Sequence, residues 1–193
     1  MSFQFMGLSY IKNTVEIDMN EIVIKGDIID IGDENYGVIY NLCRETEETS
    51  KDEIAVEYLC KEDEDIIISE SYDVVSLFFS IGKLNTLSSR KRFIESALKY
   101  LKSRGEIMIW DIKKPRGCII NLNITTKLPN NKTKKIKIRK LNPFVSITAE
   151  NTKRIIENYF DIVDTKENDE IFYIRAKRKE KINIESTIMR HQC

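Results

Sequence analysis

Between Lys25 and Gly37 the chain sets acidic and glycine residues where chemistry is most easily built. The run Lys-Gly-Asp-Ile-Ile-Asp-Ile-Gly-Asp-Glu-Asn-Tyr-Gly is an apolar stretch ending in Asp30, a turn at Gly32 and a helix-like pattern from Gly37. A strand, a tight turn and a helix N-terminus offer free backbone N–H groups to an anion, the usual opening of a nucleotide-type cofactor site in an α/β protein. Glu34 and Tyr36 put side chains where a close backbone approach favours none.

Other chemistry is sparse. Four cysteines at 43, 60, 118 and 193 form no Cys-x-x-Cys pair, and His191 is the only histidine, so no metal site is expected. Charge is balanced overall, at 31 basic and 31 acidic residues, but segregated along the chain. Residues 44–73 hold twelve acidic and three basic residues, whereas residues 112–149 hold no acid and ten Lys or Arg. Such asymmetry can steer a charged ligand, and it also suits two solvated faces. The first residues lack a basic region followed by an apolar run, and no apolar stretch approaches the ~18 residues of a membrane span. The expectation is a cytoplasmic, reducing setting without a membrane partner.

These groups need elements to hold them. At 193 residues and 41% apolar content, the chain reads as one globular domain with small additions. Residues 1–24 read as an N-terminal cover. Residues 28–31 form a buried-type strand, followed by a helix over 37–48 with Val38, Ile39 and Leu42 on one face. Residues 54–60 are a second strand, residues 66–68 a third or a connector, and residues 73–79 a strong central strand. Ser88 or Ser89 caps a helix to about Ser103, Gly105 stops it, and residues 106–112 are the next strand, giving a βαβ unit with parallel pairing. Alternation of Ile120, Leu122 and Ile124, and later of Ile136 and Ile138, predicts an inserted basic β-hairpin at about 118–141. Thr148 caps a helix to about Glu157. Residues 160–164 and 170–176 close the domain as an antiparallel pair, and residues 179–193 read as a mobile tail.

The order of these elements resembles the class I S-adenosylmethionine-dependent methyltransferases over about residues 25–178. Ile28-Ile-Asp-Ile-Gly32 resembles the family's first motif, although Glu34 and Tyr36 replace glycines and Gly37 stands one place late. Tyr72-Asp-Val-Val-Ser-Leu-Phe-Phe-Ser resembles its fourth strand. Residues 93–111 resemble the helix and strand that follow, and residues 148–176 the closing helix and hairpin. The resemblance implies an α/β, Rossmann-like methyltransferase fold: a mostly parallel central sheet, a C-terminal antiparallel hairpin strand and the inserted basic hairpin.

It also implies S-adenosylmethionine as cofactor, held by Asp30, Gly32, Asp33 and Glu57 with Phe79 and Ser80 nearby, and a methyl acceptor that is a small molecule. Glu57 takes the ribose if residues 54–58 are the second strand. If they are the third, the acidic residues 62–65 take the adenine side. The protein mainly aligns a nucleophile and excludes water, so no catalytic residue is named. An inactive partner protein of the same fold is the alternative. The basic hairpin around residues 127–140 also reads as a lid for an anionic substrate or, through Lys132–Lys140, as a nucleic-acid-binding surface, a weaker reading because a one-sided hairpin alternates lysines with apolar residues anyway. Trp110 and Asp111 end their strand beside the substrate side, and the plainer reading of the pair is a core Trp followed by a surface Asp.

Overall fold

Residues 2–5, 8–34, 36–50, 54–59 and 69–180 are described by the computed structural model. The expected element at 66–68, the acidic residues 62–65, and residues 181–193 of the tail lie outside them. In chain order the elements are β1 (Ser2–Phe5), β2 (Leu8–Asp18), β3 (Ile28–Ile31), α1 (Val38–Ser50), β4 (Val56–Leu59) and β5 (Tyr72–Phe78). There follow a 3-10 turn (Ile81–Lys83), α2 (Leu87–Ala97), β6 (Leu101–Ile112), β7 (Cys118–Lys127), β8 (Thr133–Lys140), α3 (Ala149–Ile156), β9 (Phe160–Glu167) and β10 (Ile171–Arg178).

Six strands form a mixed central sheet in the order β4-β3-β5-β6-β10-β9. The pairs β4–β3, β3–β5 and β5–β6 are parallel, and β6–β10 and β10–β9 are antiparallel. β3 is buried at every position and β5 at all but Asp73, so both read as continuous apolar runs. α1 buries Val38, Ile39, Leu42 and Cys43. Thr86 caps α2 through a reciprocal capping box with Ser89, and Thr148 caps α3 by accepting from the Asn151 amide at 3.1 Å. The strand expected at residues 54–60 is β4, Val56–Leu59, which follows β3 in the chain and pairs with it in parallel as the second strand of this unit.

Two expectations are corrected. Residues 2–5 and 8–18 are strands rather than a cover, and the basic hairpin joins them in a second, four-stranded sheet of order β1-β2-β7-β8. β2 pairs with β7 in parallel, and Val15 and Ile17 bury against the same core as Ile120, Leu122 and Ile124. The alternation of Val15 and Ile17 with Thr14, Glu16 and Asp18 was the available signal. The helix before Gly105 also ends early, at Ala97, and β6 begins at Leu101. Gly105 lies inside that strand: a Cβ there would come within 2.7 Å of Leu101 Cγ and 3.0 Å of the Asp73 carbonyl. It serves close packing beside the register shift of β5 against β6, not helix termination. No helix of the described residues is long and apolar enough to cross a membrane.

Candidate functional site

The carboxyl ends of β5 and β6 open onto a cavity of about 530 Å³. Its floor is made by Glu34 and Tyr36 of the first-motif loop, Phe79 after β5, Gly82 and Lys83 of the 3-10 turn, and Asp111 near the end of β6. Its remaining wall is the last four residues of β8, an edge strand of the second sheet. Open α/β sheets bind ligands at this end of their strands.

The first-motif loop is built inward. Ser80 Oγ donates to the Ile31 carbonyl at 2.8 Å, and a Cβ on residue 32 would stand 2.5 Å from that oxygen. Gly32 therefore makes room for Ser80, while the Tyr58 hydroxyl donates to the Gly32 carbonyl at 2.5 Å. Tyr36 turns its ring edge-on to Phe78, with centroids 6.2 Å apart, and donates its hydroxyl to Glu34. Lys83 Nζ stands 5.4 Å from the Tyr36 ring centroid and 3.4 Å from Glu34. The Tyr36 hydrogen bond and the Lys83 charge hold the Glu34 carboxyl below its usual range. Tyr36 is thus a wall of the large cavity. Phe79, fully packed, has φ 54°, a left-handed backbone that a bulky residue adopts only under constraint.

Of the two readings of Asp111, the surface acid is the one the structure corrects. The residue is 1% exposed and accepts the amides of Gly82 at 2.6 Å and Ile112 at 2.7 Å. Burial lifts its carboxyl to about 6 against the pull of those donors and of Arg90 and Lys140. Lys140 Nζ donates to the Lys83 carbonyl and to Asn85 Oδ1, each at 3.0 Å.

A second, smaller cavity of about 190 Å³ is lined by Asp30, Gly37, Tyr40, Val56, Glu57 and Tyr58. The first-motif loop separates the two, with Tyr36 facing the large cavity and Gly37 the small one. Asp30 is buried beside Ser76, its register partner on β5; burial raises its carboxyl to about 7, and the Ser76 hydroxyl pulls it back. Glu57 lies mid-strand on β4 and accepts the Tyr72 hydroxyl, so its carboxylate is already engaged. Asp33 is exposed. Of the six residues marked for a cofactor, Phe79 lines the large cavity, Asp30 and Glu57 line the small one, Gly32 and Ser80 interlock beneath the loop, and Asp33 faces solvent.

Sequence reasoning missed Lys83, Arg90 and Lys114, and placed Lys140 only within the basic hairpin. Arg90, 2% exposed, gives its guanidinium to the carbonyls of Leu84 at 3.0 Å and Ser146 at 2.8 Å. Lys114, fully buried, donates to the carbonyls of Val145 at 2.6 Å and Pro115 at 3.4 Å. The acid-free stretch 112–149 was the signal that could have found Lys114. Among the described residues no group of three or more His, Cys, Asp or Glu could hold a metal ion.

No protein-family model matches the chain, and no curated protein matches it by sequence. In fold it is similar to the PH0226 protein of Pyrococcus horikoshii OT3, with a TM-score of 0.51, 11% identity and coverage of 83% of this chain and 86% of that one. It is similar too to an S-adenosylmethionine-dependent methyltransferase of Clostridium acetobutylicum ATCC 824, with a TM-score of 0.50, 9% identity, and 80% and 85% of the two chains covered. At these identities the likeness is one of fold.

Proposed function

We propose that this chain is an S-adenosylmethionine-dependent methyltransferase acting on a small molecule. The observation that carries the reading is Phe79: a buried aromatic residue held at φ 54° where a central parallel strand ends at a 530 Å³ cavity. Strain of this kind persists where surrounding structure enforces it, and it gathers at ligand sites. A fold shared with a protein described as an S-adenosylmethionine-dependent methyltransferase supports the same reading.

The donor set fits the methionine end of such a cofactor. Lys83 offers an ammonium to a carboxylate, while Glu34, Asp111 and the faces of Tyr36 and Phe79 suit a sulfonium. Asp30 and Glu57, across the loop, are assigned the nucleoside. Gly32 and Ser80 hold the loop that divides the two cavities, and Asp33 lies on its outer side. When bound, the cofactor supplies an already activated methyl group. The chain aligns the acceptor against it.

Titration calorimetry with S-adenosylhomocysteine tests the reading. A saturable heat at one site per chain is expected, and S-adenosylmethionine should compete for it. No heat at millimolar ligand sinks it. That outcome favours the second reading, a binding or partner protein of methyltransferase fold, which rests on Tyr36 and Glu34 occupying the positions of motif glycines and engaging each other.

A further inference from the structure

Behind the large cavity stands an excess of buried positive charge. Arg90 and Lys114 are almost wholly withdrawn from solvent, and Lys140 is half-buried. The three lie close enough for their charges to act on one another and, for Arg90 and Lys140, on Asp111. Each gives its hydrogen bonds to neutral oxygens: Arg90 and Lys114 to backbone carbonyls, Lys140 to a carbonyl and an amide oxygen. Among the described residues the carboxylate that acts on Arg90 and Lys140 is Asp111, and it is bound to two backbone amides.

Burying a charge costs several kcal/mol unless a counter-charge meets it. Burial accordingly pulls Arg90, Lys114 and Lys140 below their usual ranges. Lys137 and Arg139 add two more cations to the same wall, while Glu34 on the floor is neutralised by Lys83.

We propose that the 530 Å³ cavity takes an anionic small-molecule acceptor, a carboxylate or phosphate compound held by Lys140, Arg139 and Lys137. The assignment rests on the methyltransferase reading for the word acceptor, and on the cations that line the cavity, with the buried charge behind Lys140, for the word anionic. In the transfer a lone pair of the acceptor forms the bond to the methyl carbon. The sulfur–carbon bond breaks to leave a neutral thioether, and the acceptor's proton leaves to water. A small ligand is favoured over a nucleic acid because Lys137, Arg139 and Lys140 all line one cavity of about 530 Å³.

The test titrates the full chain at low ionic strength with citrate, with inorganic phosphate and with a single-stranded RNA 12-mer, beside the S-adenosylhomocysteine titration. Citrate or phosphate is expected to bind and to raise Tm. Lys140→Met and the exposed-site variant Arg139→Gln are each expected to weaken that binding by about tenfold, the loss of one charged hydrogen bond. Citrate or phosphate binding without S-adenosylhomocysteine binding upholds the anion site and removes the methyltransferase reading. Binding of S-adenosylhomocysteine with neither small anion bound overturns the anionic assignment and leaves the methyltransferase reading standing. RNA binding that displaces citrate and survives in Arg139→Gln and Lys140→Met also overturns it.

Discussion

The carboxylate of Asp111 and the backbone of Gly82 are fitted to each other: the Gly82 amide donates to Asp111 Oδ2 at 2.6 Å, and a Cβ on residue 82 would run into that carboxylate. The pairing ties the 3-10 turn to the end of β6 and fixes one wall of the cavity. Asp111 cannot easily yield, because its other oxygen accepts the Ile112 amide.

Gly82→Ala is therefore expected to cost about 1–3 kcal/mol, the usual range for forcing atoms into a packed site. Thermal or urea unfolding measures it. A variant as stable as the parent would show that the turn moves freely and that the Asp111 wall is not rigid.

Stability should depend on pH through Asp30. Its carboxyl lies at about 7 in the folded chain, against about 4 when unfolded. Between those values the folded state holds the proton more firmly, so stability is greatest below about 4 and is lost as pH rises through 7. The slope is about 1.4 kcal/mol per pH unit within that window. Asp30→Asn removes this term. Relative to the parent, the variant should gain stability between pH 5 and pH 8, read from urea midpoints at both. A constant difference across that range would mean that Asp30 is solvated and ordinary. Asp111, raised to about 6, adds a smaller loss of the same sign that the comparison cancels.

Gly32 and Ser80 should be energetically coupled. In the parent, Gly32→Ala brings a methyl against Ser80 Oγ and costs about 1–3 kcal/mol. Ser80→Ala leaves the Ile31 carbonyl without this donor but clears the space. The cost of Gly32→Ala should shrink by at least about 0.5 kcal/mol in the Ser80→Ala background, the scale of coupling between residues in contact. Additive costs in the double-mutant cycle would mean that the glycine serves something other than Ser80.

Local patterns made the central strands and helices legible. β3 and β5 are short runs buried on both faces, and Thr148 sits at a helix start. The partners of strands are a different matter, because alternation says which face is buried and not against what. The hairpin of β7 and β8 was visible in Ile120, Leu122 and Ile124, yet its pairing with β2 is a contact between residues about a hundred apart. The burial of Asp111 was hidden for a related reason. Its burial is satisfied by an amide of Gly82, 29 residues away, and nothing in Trp-Asp-Ile announces that. At the site, the motif acid and glycine were found where the chain turns, but Gly32 owes its lack of a side chain to Ser80. The cations behind the cavity come from residues 90, 114 and 140, which only the fold assembles.

The hairpin is fastened to the first helix by Glu45. Lys132 Nζ lies 2.5 Å from Glu45 Oε1, and Asn130 Nδ2 donates to Oε2 at 3.0 Å. Glu45 is 1% exposed while Lys132 is half-exposed, so the carboxylate is the fixed point and the hairpin turn the attached part. Lys132, then Asn130, hold the carboxyl below its usual range, so the fastening is present at neutral pH and fails as the solution turns acid. Asn130 and Asn131, at φ 57° and 58°, form the turn itself and do not depend on Glu45. Glu45→Ala should leave the turn shape intact but release it from α1, speeding trypsin cleavage at Lys132, Lys134 and Lys135 and lowering citrate binding at the β8 wall. Glu45→Gln, which keeps an acceptor for Asn130 but drops the ion pair, should fall between the two. Cleavage rates equal to the parent's in both variants would mean that β7 and β2 alone hold the hairpin over the cavity.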